Sequence, residues 1–244
     1  MKTYYDMHAG GIVALDGKLH VADSRSGHRV IRVYDLNKIT KLPSGKTIHK
    51  YSHVLIEEYN YKAPIKPSFI SYDRDRKKIL IGTFAEEPSD SKPNLLSWYT
   101  PPRNASEAAK FDKNIDKVDV YRLPNKYKKI QGMVASKAPD GKQILWLSTS
   151  YGRYNRSNFY KMNININSST PKSPEKLEVT NSHTAKYPPG LEDAHLATND
   201  QLWMLTEFAY SEGNYKNLSG TGGNIVRNQN RRGVFAIDKS DILP

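Results

Sequence analysis

GMVASKAPDGKQILWLSTS (Gly132–Ser150) and LEDAHLATNDQLWMLTEF (Leu191–Phe208) share one form, and two earlier segments share it with them: GIVALDGKLHVADS (Gly11–Ser24) and FISYDRDRKKILIGTF (Phe69–Phe84). Each is a short apolar strand, a polar turn holding Asp, Asn or Gly, then a second strand ending in Ser, Thr or an acid. The second strands begin at Leu19, Ile79, Leu145 and Leu202, at steps of 60, 66 and 57 residues. Self-similarity at such a period predicts a radial or stacked repeat of β-sheets.

Two more strand-like runs follow in each unit. They are Val30–Leu36 and Ile48–Glu58, Leu95–Thr100 and Lys117–Leu123, then Ser157–Ile164 and Lys176–Thr180. In the last unit only Gly233–Lys239 follows. Four strands per unit, rich in β-branched and aromatic residues, predict an all-β fold with almost no helix: a β-propeller of four visible four-stranded blades. A β-sandwich with accidental similarity is the alternative. The chain reads as one domain over 1–244, with units at about 8–60, 67–123, 131–182 and 191–239. Lys2–Met7 is the expected closing strand of the last blade, since pairing there removes exposed sheet edges. A fragment of a propeller with five or more blades is the other form of that reading.

The 37 Lys+Arg against 25 Asp+Glu give a formal charge of +12. The basic clusters are Lys41–Lys50, Arg74–Lys78, Lys126–Lys129 and Arg227–Arg232. They read as solvated loops or as an attractor for an anionic polymer, with an acidic glycan favoured over nucleic acid because no nucleic-acid motif accompanies them. The absence of cysteine excludes disulfides, thiol nucleophiles and cysteine-based zinc sites. No apolar run is long enough to span a membrane and no signal peptide opens the sequence. Asn104, Asn155, Asn167 and Asn217 stand in Asn-x-Ser/Thr triplets, which matter only in a eukaryotic secretory route.

Insertions at Glu86–Pro93 and Tyr210–Asn230 separate the second and third strands of their units. Strands alternate direction, so the start of each first strand and the finish of each second strand reach one end of the repeat, here named the mouth end. His8, Gln131, Glu192 and Asp193 are expected there, with Asp23, Arg25, Arg153 and Glu207 and with His195 nearby. Convergent polar groups of this kind are the default binding-site hypothesis. Asp23, Arg25, Gln131, Arg153 and Glu207 are the candidate ligand-binding residues. Asp193 and Glu192 are candidate calcium ligands, because that ion takes carboxylate oxygens. His8, His195, Arg153 and Tyr151 are the candidates for acid–base work. Each has a bland alternative, since inner-strand polar groups often only satisfy the backbone.

HAGGIVALDGKLHVADSRSGHRVIRVYDL (His8–Leu36) and PPGLEDAHLATNDQLWMLTEF (Pro188–Phe208) resemble segments of secreted, largely uncharacterised bacterial β-propeller proteins. More distantly they resemble NHL-repeat and gluconolactonase-type (SMP-30-like) propellers. The resemblance implies a secreted or cell-surface location. In the gluconolactonase-type group a carboxylate, an amide and an Asp surround a divalent ion. Only Asp193 or Glu192 matches here, and no Asn occupies an equivalent inner position, which weakens a hydrolase assignment.

Two functions follow. The first is a binding module presenting its mouth and loops to a glycan or protein, with Trp98, Tyr151, Tyr154 and Tyr210 as candidate aromatic contacts. The second is a lyase or hydrolase acting on a sugar or sugar acid.

Overall fold

The computed structural model describes residues 9–25, 27–46, 53–138, 140–151, 157–166, 174–187, 191–197, 201–209 and 232–238. The proposed closing strand Lys2–Met7 lies outside them, as do His8, Arg153 and the whole Tyr210–Asn230 insertion.

The described chain is all-β apart from one α-helix and two short 3-10 turns. The first sheet takes β1 (Ala9–Leu15), β2 (Lys18–Asp23), β3 (Val30–Asp35) and β6 (Glu57–Lys62) in that order. A two-stranded ribbon, β4 (Thr40–Lys41) with β5 (His53–Val54), interrupts it. The second sheet is β7 (Phe69–Asp73), β8 (Lys78–Gly82), β9 (Leu95–Tyr99) and β10 (Asp119–Arg122). The third is β11 (Ile130–Lys137), β12 (Gln143–Thr149), β13 (Ser157–Asn165) and β15 (Glu178–Tyr187). The fourth is β16 (Leu191–Leu196), β17 (Gln201–Ala209) and β18 (Arg232–Asp238). All these pairings are antiparallel. The exception is β14 (Glu175–Lys176), which leaves the third unit and pairs in parallel with the outer strand β10.

Each sheet packs on the next through an apolar layer. Val13, Ile31 and Tyr61 meet Ile70, Ile79 and Ile81 between the first and second sheets. Leu80, Leu96 and Trp98 meet Met133, Leu145 and Met162 between the second and third. Val134, Trp146 and Phe159 meet Leu191, Leu202 and Met204 between the third and fourth. Strand side chains alternate sides, so β12 sends Leu145 and Leu147 one way and Ile144 and Trp146 the other. That is why QILWLST is a continuous buried run while the first strand of the first sheet is not. At the two ends of the stack, Ile12 (56%) and Trp203 (40%) are exposed on the faces turned away from these layers.

First strands of successive sheets also touch: β1 with β7, β7 with β11, and β11 with β16. Glycine makes the approach feasible. A Cβ on Gly132 would stand 2.5 Å from the Glu192 carbonyl oxygen and 2.8 Å from Asp193 Cα. One on Gly10 would stand 2.4 Å from the Ser68 carbonyl oxygen.

Among the described residues the expectation of almost no helix holds, with one short α-helix. α1 (Ala105–Lys113) sits between β9 and β10 and packs on β6. Asn104 Oδ1 accepts the Glu107 N–H at 2.9 Å, and Glu107 accepts the Arg103 N–H at 3.0 Å. Asn104, seen in the sequence as an Asn-x-Ser/Thr triplet, is therefore a helix N-cap. Phe111 anchors the helix on Tyr61 and Tyr99. Among the described residues no helix is long and apolar enough to cross a membrane.

Candidate functional site

Asp23 ends β2 and is fully buried. Arg25 grips it in a fork, Nε to Oδ1 at 2.9 Å and Nη2 to Oδ2 at 2.6 Å. Arg32 donates its Nε to Asp23 Oδ2 at 3.0 Å and its Nη1 to Glu57 Oε2 at 2.5 Å. Burial alone pushes the Asp23 carboxyl up, but the hydrogen bonds from Arg25 and Arg32 outweigh it and bring it down to about 2. Two guanidinium groups thus face two carboxylates. Asp23 and Arg25, both candidate ligand-binding residues, are paired with each other.

The hydroxyls at equivalent places are engaged in the same way. Thr83 Oγ1 accepts the Leu95 N–H at 2.8 Å. Thr149 Oγ1 accepts the Asn158 N–H at 3.2 Å. Ser148 Oγ donates to the Glu192 carbonyl at 2.5 Å, and Ser157 Oγ accepts the Leu191 N–H at 3.0 Å. These groups fasten the next strand in place, satisfying backbone that would otherwise be orphaned.

Three first strands open with an irregularity in register, at Ala9/Gly11, Ile130/Gly132 and Leu191/Ala194. A bulge inserts one residue and breaks strict side-to-side alternation. Gln131, Glu192 and Asp193 lie within these irregular openings, so simple alternation does not assign their sides. Asp193 is half-buried, and its Oδ1 accepts the Ala194 N–H at 2.8 Å. Burial raises its carboxyl to about 7 against that hydrogen bond, with Glu192 adding to the rise. His195 is exposed near the far end of β16. Partial desolvation of the ring lowers its basicity, helped by Arg74 in the turn after β7, so it stands near the opposite end from Asp23. Among the described residues no group of three or more acids or histidines is placed to hold a metal ion.

A second polar group gathers at the mouth end of the second and third sheets. Tyr160, half-buried, accepts a hydrogen bond from Asn158 Nδ2 at 3.0 Å and meets the Tyr127 ring edge-on at 5.0 Å. Tyr127 donates its hydroxyl to Ser182 at 3.2 Å. Tyr151, half-buried where β12 ends, hydrogen-bonds Tyr160. Lys129 Nζ lies 5.8 Å from the centre of the Tyr151 ring. Of the candidate aromatic contacts, Trp98 is instead a core residue at 2% exposure, lying under Arg76 at 5.5 Å. Tyr154 and Tyr210 lie outside the described residues, as do His8, Arg153 and the side chain of Glu207. Sequence reasoning singled out Tyr151 but missed Tyr127, Asn158 and Tyr160. Their only signal was the alternation of SNFYKMNI, in which Asn158 and Tyr160 share a side.

No known protein family matches this chain, and no curated protein matches it.

Proposed function

We propose that the four sheets are blades of a β-propeller and that the mouth end between the second and third blades binds a carbohydrate. The repeated antiparallel meander, the apolar layers between successive sheets and the contacts among first strands support the propeller. The observation that carries the binding role is the Tyr151–Tyr160–Asn158 group. Half-buried aromatic rings offer an apolar face to the C–H face of a sugar ring, while a fixed amide and phenol exchange hydrogen bonds with its hydroxyls. Their mutual bonds hold these groups before any ligand arrives, which lowers the ordering cost of binding.

A sugar-acting enzyme is the second reading. It draws on Asp193, whose carboxyl at about 7 suits a general acid.

Calorimetric titration with a panel of neutral and acidic oligosaccharides tests both. Binding that weakens about tenfold in Tyr160→Ala, the loss of roughly 1.4 kcal/mol, is the expected result. Full affinity in a folded Tyr151→Ala/Tyr160→Ala double variant would remove this surface from consideration. Bond cleavage lost in Asp193→Asn would favour the enzyme.

A further inference from the structure

The Glu86–Pro93 insertion lies as a strap along the end of β10 and the segment that joins it to β11. Backbone and amide contacts fix both of its ends. The Lys129 N–H donates to the Ala85 carbonyl at 2.9 Å. At the other end, Asn94 is fully buried, accepts the Leu123 N–H at 2.9 Å and donates its Nδ2 to the Tyr127 carbonyl at 2.8 Å. A reciprocal pair of backbone bonds between Ser89 and Lys92, each 3.2 Å, folds the strap on itself.

Three strap acids each meet a base of the facing segment. Glu86 lies 3.0 Å from Lys129 Nζ, and Glu87 pairs with Lys128. Asp90 accepts from Arg122 Nη2 through its carboxylate at 3.2 Å and its carbonyl at 2.9 Å, and from Asn125 at 3.3 Å. The order is antiparallel, so acids and bases run as a zipper. The acids are highly exposed, at 70%, 69% and 94%, whereas Lys129 is only 25% and Arg122 31% exposed. Exposed pairs of this kind are weak and readily exchanged. Lys129 occupies the left-handed region at φ +54°, which is uncommon for a non-glycine residue. The same lysine stands over the Tyr151 ring, so the basic stripe runs directly into the tyrosine group.

We infer that the 86–93 strap is a built-in competitor whose carboxylates occupy a basic stripe, Arg122–Lys128–Lys129, that takes a carboxylate-bearing glycan. This rests on the carbohydrate role proposed for the adjoining tyrosines. Ligand carboxylates replace those of Glu86, Glu87 and Asp90 at the same three cations, while a sugar ring meets Tyr151. The adjoining aromatic group favours a uronic-acid polymer over an acidic peptide or a nucleic acid.

The test uses the full chain with an oligogalacturonate and with its methyl ester, which has the same sugar and no charge. Glu86→Gln/Glu87→Gln/Asp90→Asn removes the competitor and should tighten binding of the acid form by about tenfold, leaving the ester unchanged. Lys128→Ala/Lys129→Ala should lose the acid form and keep the ester. A charge-matched control, Asp116→Asn/Asp140→Asn/Glu178→Gln, should change neither. Equal tightening in that control would mean diffuse attraction and overturn the inference. Equal tightening toward a single-stranded oligonucleotide would overturn the glycan assignment. Binding of the ester but not the acid, in both wild type and the strap variant, would sink the inference while leaving the carbohydrate role standing. Binding of neither form by either protein would end both.

Discussion

The first and second sheets leave their second strands with ionic groups in opposite settings. After β2, Asp23 is fully buried under Arg25 and Arg32, and the turn to β3 is short. After β8 the equivalent residue is the uncharged Thr83, and the acids come later, on the exposed Glu86–Pro93 strap. Buried charges must be matched at once by fixed partners, because an unpaired charge there is costly. Exposed ones are nearly neutral in stability and can trade partners. The charge at the first sheet is therefore held by fixed partners, and the charge at the second is free to exchange them.

The largest test of that contrast is Asp23→Ala. Leaving two guanidinium groups without their shared carboxylate should cost about 3 kcal/mol in denaturant unfolding. Glu86→Gln/Glu87→Gln should leave the melting temperature within about 1 °C of wild type. Similar losses from the two variants would erase the distinction.

Gly132→Ala comes next, at about 2 kcal/mol, because the added methyl meets backbone atoms of Glu192 and Asp193 that have little freedom to move. A neutral outcome would mean that the third and fourth first strands separate easily, and the mouth end would be less rigid than the third-sheet contacts imply.

Acid titration separates two carboxylates of opposite sign. Asp23, lowered from 3.8 to about 2 in the fold, contributes stability that is present above pH 3.8 and lost as pH falls through about 2. Asp193, raised from 3.8 to about 7, contributes stability that is full below 3.8 and is lost as pH rises through about 7. Unfolding midpoints should therefore decline between pH 4 and 7 in wild type relative to Asp193→Asn. Asp23→Asn should flatten only the acid limb. A single flat profile for all three proteins would contradict both environments.

Asn104→Ala should have the smallest effect, about 1 kcal/mol, since it removes one N-cap from a helix that Phe111 still anchors. A loss several times larger would make α1 part of the structural core between the first two sheets.

Much of the fold was legible in the chain. The starts of the first strands at Phe69, Ile130 and Leu191 lie within two residues of those expected from the repeat, because apolar alternation and turn residues act locally. The outer strands were less legible. Of the expected Ile48–Glu58 strand, residues 48–52 lie outside the described residues and the rest holds the short β5 and the start of Glu57–Lys62, while Lys176–Thr180 divides into β14 and the much longer β15. Outer strands answer to their neighbours, and β14 exists because a strand from another unit offers an edge. The helix was missed since N-A-S-E resembles a modification triplet and the run after it is short.

At the candidate site, the sequence by itself determined which residue types reach the mouth end: Asp23, Gln131, Tyr151, Glu192 and Asp193 follow from strand direction and period alone. It also determined that no cysteine chemistry operates. Only the tertiary structure decided which of them are taken. Arg25 is bound to Asp23, the hydroxyls of Thr83 and Thr149 fasten neighbouring strands, and Trp98 is core. Only the tertiary structure, too, set Tyr160 beside Tyr151 and the strap acids against Lys128 and Lys129. Partner choice depends on distances between residues tens of positions apart, and burial fixes whether a charge is held or exchangeable. Neither is encoded in local pattern.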